Sequence, residues 1–260
     1  MLFSMYVLGH MSEESLQIVV KKDLKFENPV AIEGFPDVGL AGAIASMHLI
    51  ENWGLEEIAY VETPLLPPIM VVHNGELLNP IRIYGNKNYI VLTSEIALPL
   101  TLLNALTKKV VEWLSSVNAT MLIALTGIPV ENRFEIEKPA VYGVVSKKEH
   151  ADLLSKHKIE VLQEGFISGI YALFLKECLK AGLPAIALIA QSFLKYPDPG
   201  AAAELLTSLS AILSVSIDVK PLLENAEEIR LKARDLIKQT EKVAPSTYRN
   251  VEGELPLMYR

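Results

Sequence analysis

Apolar runs of strand length recur along the chain at residues 17–20, 30–33, 58–62, 69–73, 81–84, 89–93, 121–126, 141–145 and 185–190. The run MVVHNGELL carries Asn74-Gly75 at its centre, the dipeptide that a two-residue type I′ hairpin requires. Between other strands the apolar spacing turns helical, over 39–52, 100–116, 148–156, 167–181 and 200–216. The last two helices are punctuated. Gly182 follows Lys180 with Pro184 just beyond, and Asp198 supplies a cap ahead of Pro199 at the first helical position. Strands alternating with helices predict an α/β domain over 16–218, a mostly parallel sheet covered by helices.

From Pro221 the pattern changes. Leu222, Ala226, Ile229, Ala233, Leu236 and Thr240 follow steps of four and three, a heptad-like seam that predicts a C-terminal helix over 219–243. Glu228 and Lys232 are placed to pair across one turn. Such a helix either packs along its own domain or serves a subunit interface. After Ala244 come Pro245, Ser246, Thr247, Gly253 and Pro256 among polar residues, which predicts a mobile arm over 244–260. The opening MLFSMYVLGHM is apolar but has no Lys or Arg before the run. It lacks a small-x-small cleavage site and is far short of a membrane span, so 1–15 is expected to be an extension without a fold role.

Charge narrows the partners. The 260 residues hold 24 Lys and Arg against 31 Asp and Glu, a net charge of −7, with a pI near 5.4. That sign argues against nucleic acid and against a membrane surface as partner. Hydrophobic content of 50% with 21% charged residues leaves little scope for disorder. It also exceeds what one core needs, which predicts a homo-oligomer. The single cysteine, Cys178, excludes an internal disulfide and a cysteine-cluster metal site, and the expected compartment is the cytoplasm.

Chemical motifs are mostly missing. GxxxxGK[ST], GxGxxG and GxSxG do not occur; Ser168, in GFISG, has the wrong spacing for a nucleophile elbow. His10, His48, His73, His150 and His157 show no metal-ligand spacing, and Cys178 falls in a helical pattern as a core hydrophobe. No metal and no cofactor are expected. One segment invites chemistry: a strand ends in Glu33 and Gly34, Phe35, Pro36 and Asp37 form a turn, and a helix opens around Gly39 and Gly42. A glycine turn feeding a helix suits an anion, but the turn holds no Lys, Arg, Ser or Thr to complete a phosphate site. The favoured reading is close packing through Gly39 and Gly42, with Asp37 as the cap. Glu33, Asp37, Glu62, Glu95 and Asp198 end or follow apolar strands, so some should gather at one sheet edge. Paired carboxylates perform acid–base work, yet no nucleophile accompanies them. The expectation is a protein that is not an enzyme; the alternative is a small-molecule or nucleotide-binding enzyme using the 33–42 turn.

The chain stops at Leu257-Met258-Tyr259-Arg260, a compact apolar and aromatic tip beyond the predicted arm. Pattern alone favours an inert tail. However, EGFPDVGLAG at 33–42 resembles the signature of the proteasome assembly chaperone family, in particular its archaeal members. ETPLLPPIMV at 62–71, TGIP at 126–129, GFISGIYALFLKECLKAGLPAIALIAQ at 165–191 and YPDPGAAAELLTSL at 196–209 are similar to it in the same order. The resemblance implies a nucleoside-phosphorylase-like α/β sandwich without catalysis. Some archaeal members carry a C-terminal hydrophobic–tyrosine–any-residue motif that docks between proteasome α-subunits, and Met258, Tyr259 and Arg260 match it. The implied function is that of a homo-oligomeric chaperone or activator binding proteasome α-subunits through its tail, unless the tail is sequestered on its own subunit.

Overall fold

Eight of the nine apolar runs pair, with a short strand at 160–161, into one nine-stranded sheet in a computed structural model that describes residues 16–194 and 196–233; the run at 69–73 lies outside that sheet. Its strands are β1 (Gln17–Val20), β2 (Val30–Gly34), β3 (Glu56–Glu62), β6 (Ile81–Gly85), β7 (Tyr89–Ser94), β8 (Met121–Pro129), β9 (Val141–Val145), β10 (Glu160–Val161) and β11 (Ala185–Ser192). They lie in the order β1-β3-β6-β7-β2-β8-β11-β9-β10. The centre is parallel: β7, β2, β8 and β11 run the same way. An antiparallel wing from β1 to β6 extends one side, and antiparallel β9 with its parallel partner β10 closes the other. The α/β class is therefore as expected, with a parallel core inside a mixed sheet.

The helices are α1 (Ala41–Asn52), α2 (Leu100–Ser116), α3 (Ala151–Lys156), α4 (Ile170–Ala181), α5 (Pro199–Leu213) and α6 (Lys220–Glu224). α2 and α4 cover one face of the sheet, and α1 and α5, joined by α3 and α6, cover the other. Each face has its own core. Leu102, Leu106, Val110 and Leu114 of α2 recur at four-residue steps and are fully buried in the first, as a one-faced helix requires. β11 is apolar over its first six residues, because helices cover both of its sides.

Local punctuation explains most element ends. Asp198 accepts a hydrogen bond from the Ala201 amide (3.0 Å) and Pro199 opens α5. Gly182 ends α4 in the left-handed region (φ 77°). Asn74 and Gly75 take the positive φ values (50° and 83°) of a type I′ turn, joining β4 (Val71–His73) to β5 (Glu76–Leu78) in a hairpin outside the main sheet.

Some boundaries move. The helix expected from 39 begins at Ala41, because Gly39 (φ 61°) and Leu40 (φ 51°) are both left-handed and Val38–Leu40 forms a separate 3-10 turn. Asp37 makes no capping bond, contrary to the cap read from the sequence. The helix expected from 167 starts at Ile170, after Gly169 at φ 99°. β8 and β11 run on to Pro129 and Ser192, where they still pair. After α6 the chain turns at Asn225 and is helical over 226–233; the seam positions Leu236 and Thr240, and the arm 244–260, lie outside the described residues. No helix among the described residues is long and apolar enough to cross a membrane.

Candidate functional site

β7, β2, β8 and β11 run parallel, with β8 and β11 extending past the end of β2, so the 33–42 turn sits at the carboxyl edge of the parallel strands, the usual place for sites in open α/β sheets. Its glycines are sites of close approach. A Cβ on Gly42 would collide with the backbone carbonyl of Leu125, and one on Gly39 would collide with Ser192 and lie 2.9 Å from the Phe193 carbonyl oxygen. A Cβ on Gly34 would lie 2.6 Å from Cβ of Ser46. On β8, Gly127 leaves room for the Val38 carbonyl, which a Cβ would meet at 2.6 Å. The Ser46 hydroxyl donates to Gly34 O (3.1 Å) and lies 3.1 Å from the Thr93 hydroxyl, tying α1 to β2 and β7. Protein atoms fill the space in front of each motif glycine, which is the packing reading rather than a phosphate cradle.

The structure brings Glu33, Asp37, Glu95 and Asp198 to this one edge, but gives each separate company. Glu33 is 1% exposed; one carboxyl oxygen accepts from the Phe35 amide (2.9 Å), and the other, Oε2, has no partner. Burial, opposed by the Phe35 bond and reinforced by the nearby Asp37 charge, pushes its pKa up to about 8. Asp37 accepts from the Thr126 hydroxyl (2.9 Å), and burial raises it to about 6 against that bond. Glu95 pairs with the buried Arg82, whose guanidinium also lies 5.4 Å from the Tyr84 ring centre. Glu62 ends β3 exposed.

Asp198, fully buried, is the most heavily used carboxylate. It takes a two-pronged bond from Arg133 (Nε 2.7 Å, Nη2 2.9 Å), bonds from the Phe193 amide (3.2 Å) and Ser192 hydroxyl (3.3 Å), and the α5 cap. Arg133 in turn donates to the Ile136 carbonyl (2.6 Å) and lies 5.0 Å from the Phe193 ring centre. Sequence reasoning missed Arg133, because nothing in ENRFEIEK distinguishes it from a solvated arginine. Arg82 was better signalled, as a lone charge inside the apolar run IRIYG.

Where hydroxyls meet carboxylates here, as Thr126 meets Asp37 and Ser192 meets Asp198, the hydroxyls are fully buried. Burial pushes the Cys178 thiol up to about 12, so it is not a reactive thiolate. His48 Nε2 contacts the Asp218 carbonyl (2.6 Å) and thereby pins α1 to the segment before α6. Among the described residues no three His, Cys, Asp or Glu side chains form a group that could hold a metal ion. A cleft of about 510 Å³ lies between α1 and residues 221–233, lined by Leu40, Ile44, Met47, Leu222 and Ile229 among others. Its far wall is the predicted seam: Leu222 is buried, Ile229 and Ala233 pack on the second core, and Glu228 pairs with Lys232 at 2.6 Å. Met258, Tyr259 and Arg260 lie outside the described residues.

The model of the PAC2 family matches residues 31–237, from β2 to beyond the described part of the C-terminal helix. The chain belongs to the PAC2 family. An uncharacterized protein of Methanocaldococcus jannaschii, MJ0106, is 30% identical over 226 residues, covering 87% of this chain and 92% of the relative. The crystal structure of Pyrococcus furiosus PbaA, described as an archaeal homolog of proteasome-assembly chaperone, is 33% identical with a TM-score of 0.81, covering 87% of this chain and 98% of PbaA. P. furiosus PbaB, described as an archaeal proteasome activator, shares the fold at 24% identity and a TM-score of 0.74, covering 85% of this chain and 98% of PbaB. The PAC2 match includes the 33–42 turn, whose glycines form the tightest contacts described above.

Proposed function

We propose that this PAC2 protein is a homo-oligomeric proteasome assembly chaperone or activator that binds proteasome α-subunits through Met258, Tyr259 and Arg260. The observation that carries the proposal is the 33% identity to PbaA over 87% of the chain, to which the terminal tripeptide adds a docking element. The hydrogen-bonded Asp37 and Asp198 carboxylates and the inert thiol support a binding protein over an enzyme. In this reading Met258 fills a shallow apolar pocket, Tyr259 packs at its rim, and the Arg260 end pairs with a receptor lysine. One tail buries little surface. Several copies presented together gain on the order of 10²–10⁴ in avidity where their spacing matches the receptor pockets.

The test mixes the full chain with cognate proteasome α-rings and compares it with Tyr259→Ala by pull-down and electron microscopy. Loss of association in the variant, with unchanged thermal unfolding, is the expected result. Equal binding by both proteins removes the tail from the mechanism. No association by either, together with rapid protease trimming of the tail, removes the proteasome as partner.

A further inference from the structure

Half of the twelve large apolar side chains that stand exposed among the described residues follow strands that end at one edge of the sheet. Met70, Val72 and Leu77 lie in the 63–80 connection from β3 to β6, Phe134 follows β8, and Leu194 and Tyr196 follow β11. β6 starts opposite the end of β7, at Ile81 and Ser94, so the 63–80 connection leaves the sheet at the same edge where β8 and β11 end. One rim of the molecule thus gathers an apolar hairpin and, about 14 Å or more away by strand spacing, a set of aromatic loops.

The two features differ in how they are held. The aromatic loops are braced from behind by the buried Arg133–Asp198 pair, with the Phe134 and Phe193 rings 4.6 Å apart and Tyr196 edge-on to Phe193 at 6.3 Å. The hairpin has no such support. β4 and β5 hold three residues each and pair only with one another, whereas a lone two-stranded hairpin is marginal in water. Val72 and Leu77 face each other across it and are 66% and 69% exposed. Strands left bare in this way normally carry guarding charges, yet over residues 63–80 Glu76 is the one Asp, Glu, Lys or Arg.

We propose that this rim is the face through which copies of the chain associate, with the 71–78 hairpin at its centre. The proposal rests on the homo-oligomeric reading above and assigns it a surface. Charge selects the occupant. Each copy carries a net charge of −7, so two copies repel over most of their surfaces and meet with least repulsion where carboxylates are sparse. A strongly basic partner would gain nothing from a segment with a single carboxylate. A second copy supplies an equally uncharged apolar surface and buries Val72 and Leu77.

Sedimentation velocity on the full chain, Val72→Ser/Leu77→Ser and Leu179→Ser tests this. Leu179 is an exposed leucine near the far end of α4 and serves as the control. The wild type and Leu179→Ser are expected at the same multiple of the 28.7 kDa chain, and the hairpin variant at the monomer mass with an unchanged melting transition. A hairpin variant that keeps the wild-type mass overturns the proposed face and leaves the oligomer standing. A monomeric wild type overturns the oligomeric reading and the face together. Hydrogen exchange gives an answer without substitution: the 71–78 amides should be protected at assembling concentrations and exchange faster on dilution. Protection that ignores dilution overturns the proposal.

Discussion

A methyl group is too large for Gly42. Its α-carbon faces the Leu125 carbonyl, a backbone group in the middle of a central strand that cannot move aside. Gly42→Ala must therefore push α1 off the sheet, with a cost of about 3 kcal/mol or more by urea unfolding. A loss under about 1 kcal/mol would show that α1 slides freely on β8. The second residue-scale consequence belongs to Glu33. Its carboxyl group titrates at about 8 in the folded chain against an ordinary 4.5. Below pH 4.5 both states hold the proton; between 4.5 and 8 the folded state keeps a proton that the unfolded state has released. Stability should fall as pH rises through that window, by on the order of a few kcal/mol in total, and level off above it. Asp37, raised from 3.8 to about 6, adds a smaller total loss of the same sign at lower pH. Glu33→Gln keeps an acceptor for the Phe35 amide and removes the charge, so its stability should be flat between pH 6 and 8 where the wild type still declines. Equal slopes in urea titrations of the two proteins would show that Glu33 does not hold the proton.

Among the elements, the Arg133–Asp198 pair joins the loop after β8 to the loop before α5 and sets the start of that helix. Removing one partner leaves a bare charge in the interior. Arg133→Met should cost about 3–5 kcal/mol, and adding Asp198→Asn should recover part of it, since asparagine still caps α5 without a net charge. A double variant no more stable than Arg133→Met would mean that the loss comes from packing against Phe193. The same pair shows where sequence reading stops. The α5 start was legible, because Asp198-Pro199 acts within its own turn, and so were the hairpin at Asn74-Gly75 and the end of α4 at Gly182. Each of those signals is local. Arg133 meets Asp198 across 65 residues, and Asp37 meets Thr126 across 89, so neither pairing leaves a mark in its own segment. The start of α1 failed for a related reason. Asp37 has the composition of a cap, but left-handed turns at Gly39 and Leu40 separate it from the helix, and its carboxylate bonds to β8 instead.

For the whole molecule, avidity and architecture are coupled: a Tyr259→Ala chain should still assemble but lose its hold on α-rings, whereas a hairpin-disrupted chain should keep its tail and lose multivalency. Competition with wild-type protein for α-rings distinguishes the two, since the second variant should compete only at concentrations higher by on the order of 10²-fold or more. The strand order carries one more consequence. β2 is the middle of the sheet, yet its neighbours β7 and β8 both follow it in the chain. On the ribosome, residues 30–34 therefore wait for β7 to cover one edge and then for β8, complete at Pro129, to cover the other, roughly 5–20 s of translation for the 95 intervening residues. Throughout that interval an uncharged stretch such as Val30-Ala31-Ile32 keeps at least one bare edge, and a nascent chain stalled before residue 121 should be held by ribosome-bound chaperones far more than one stalled after 129.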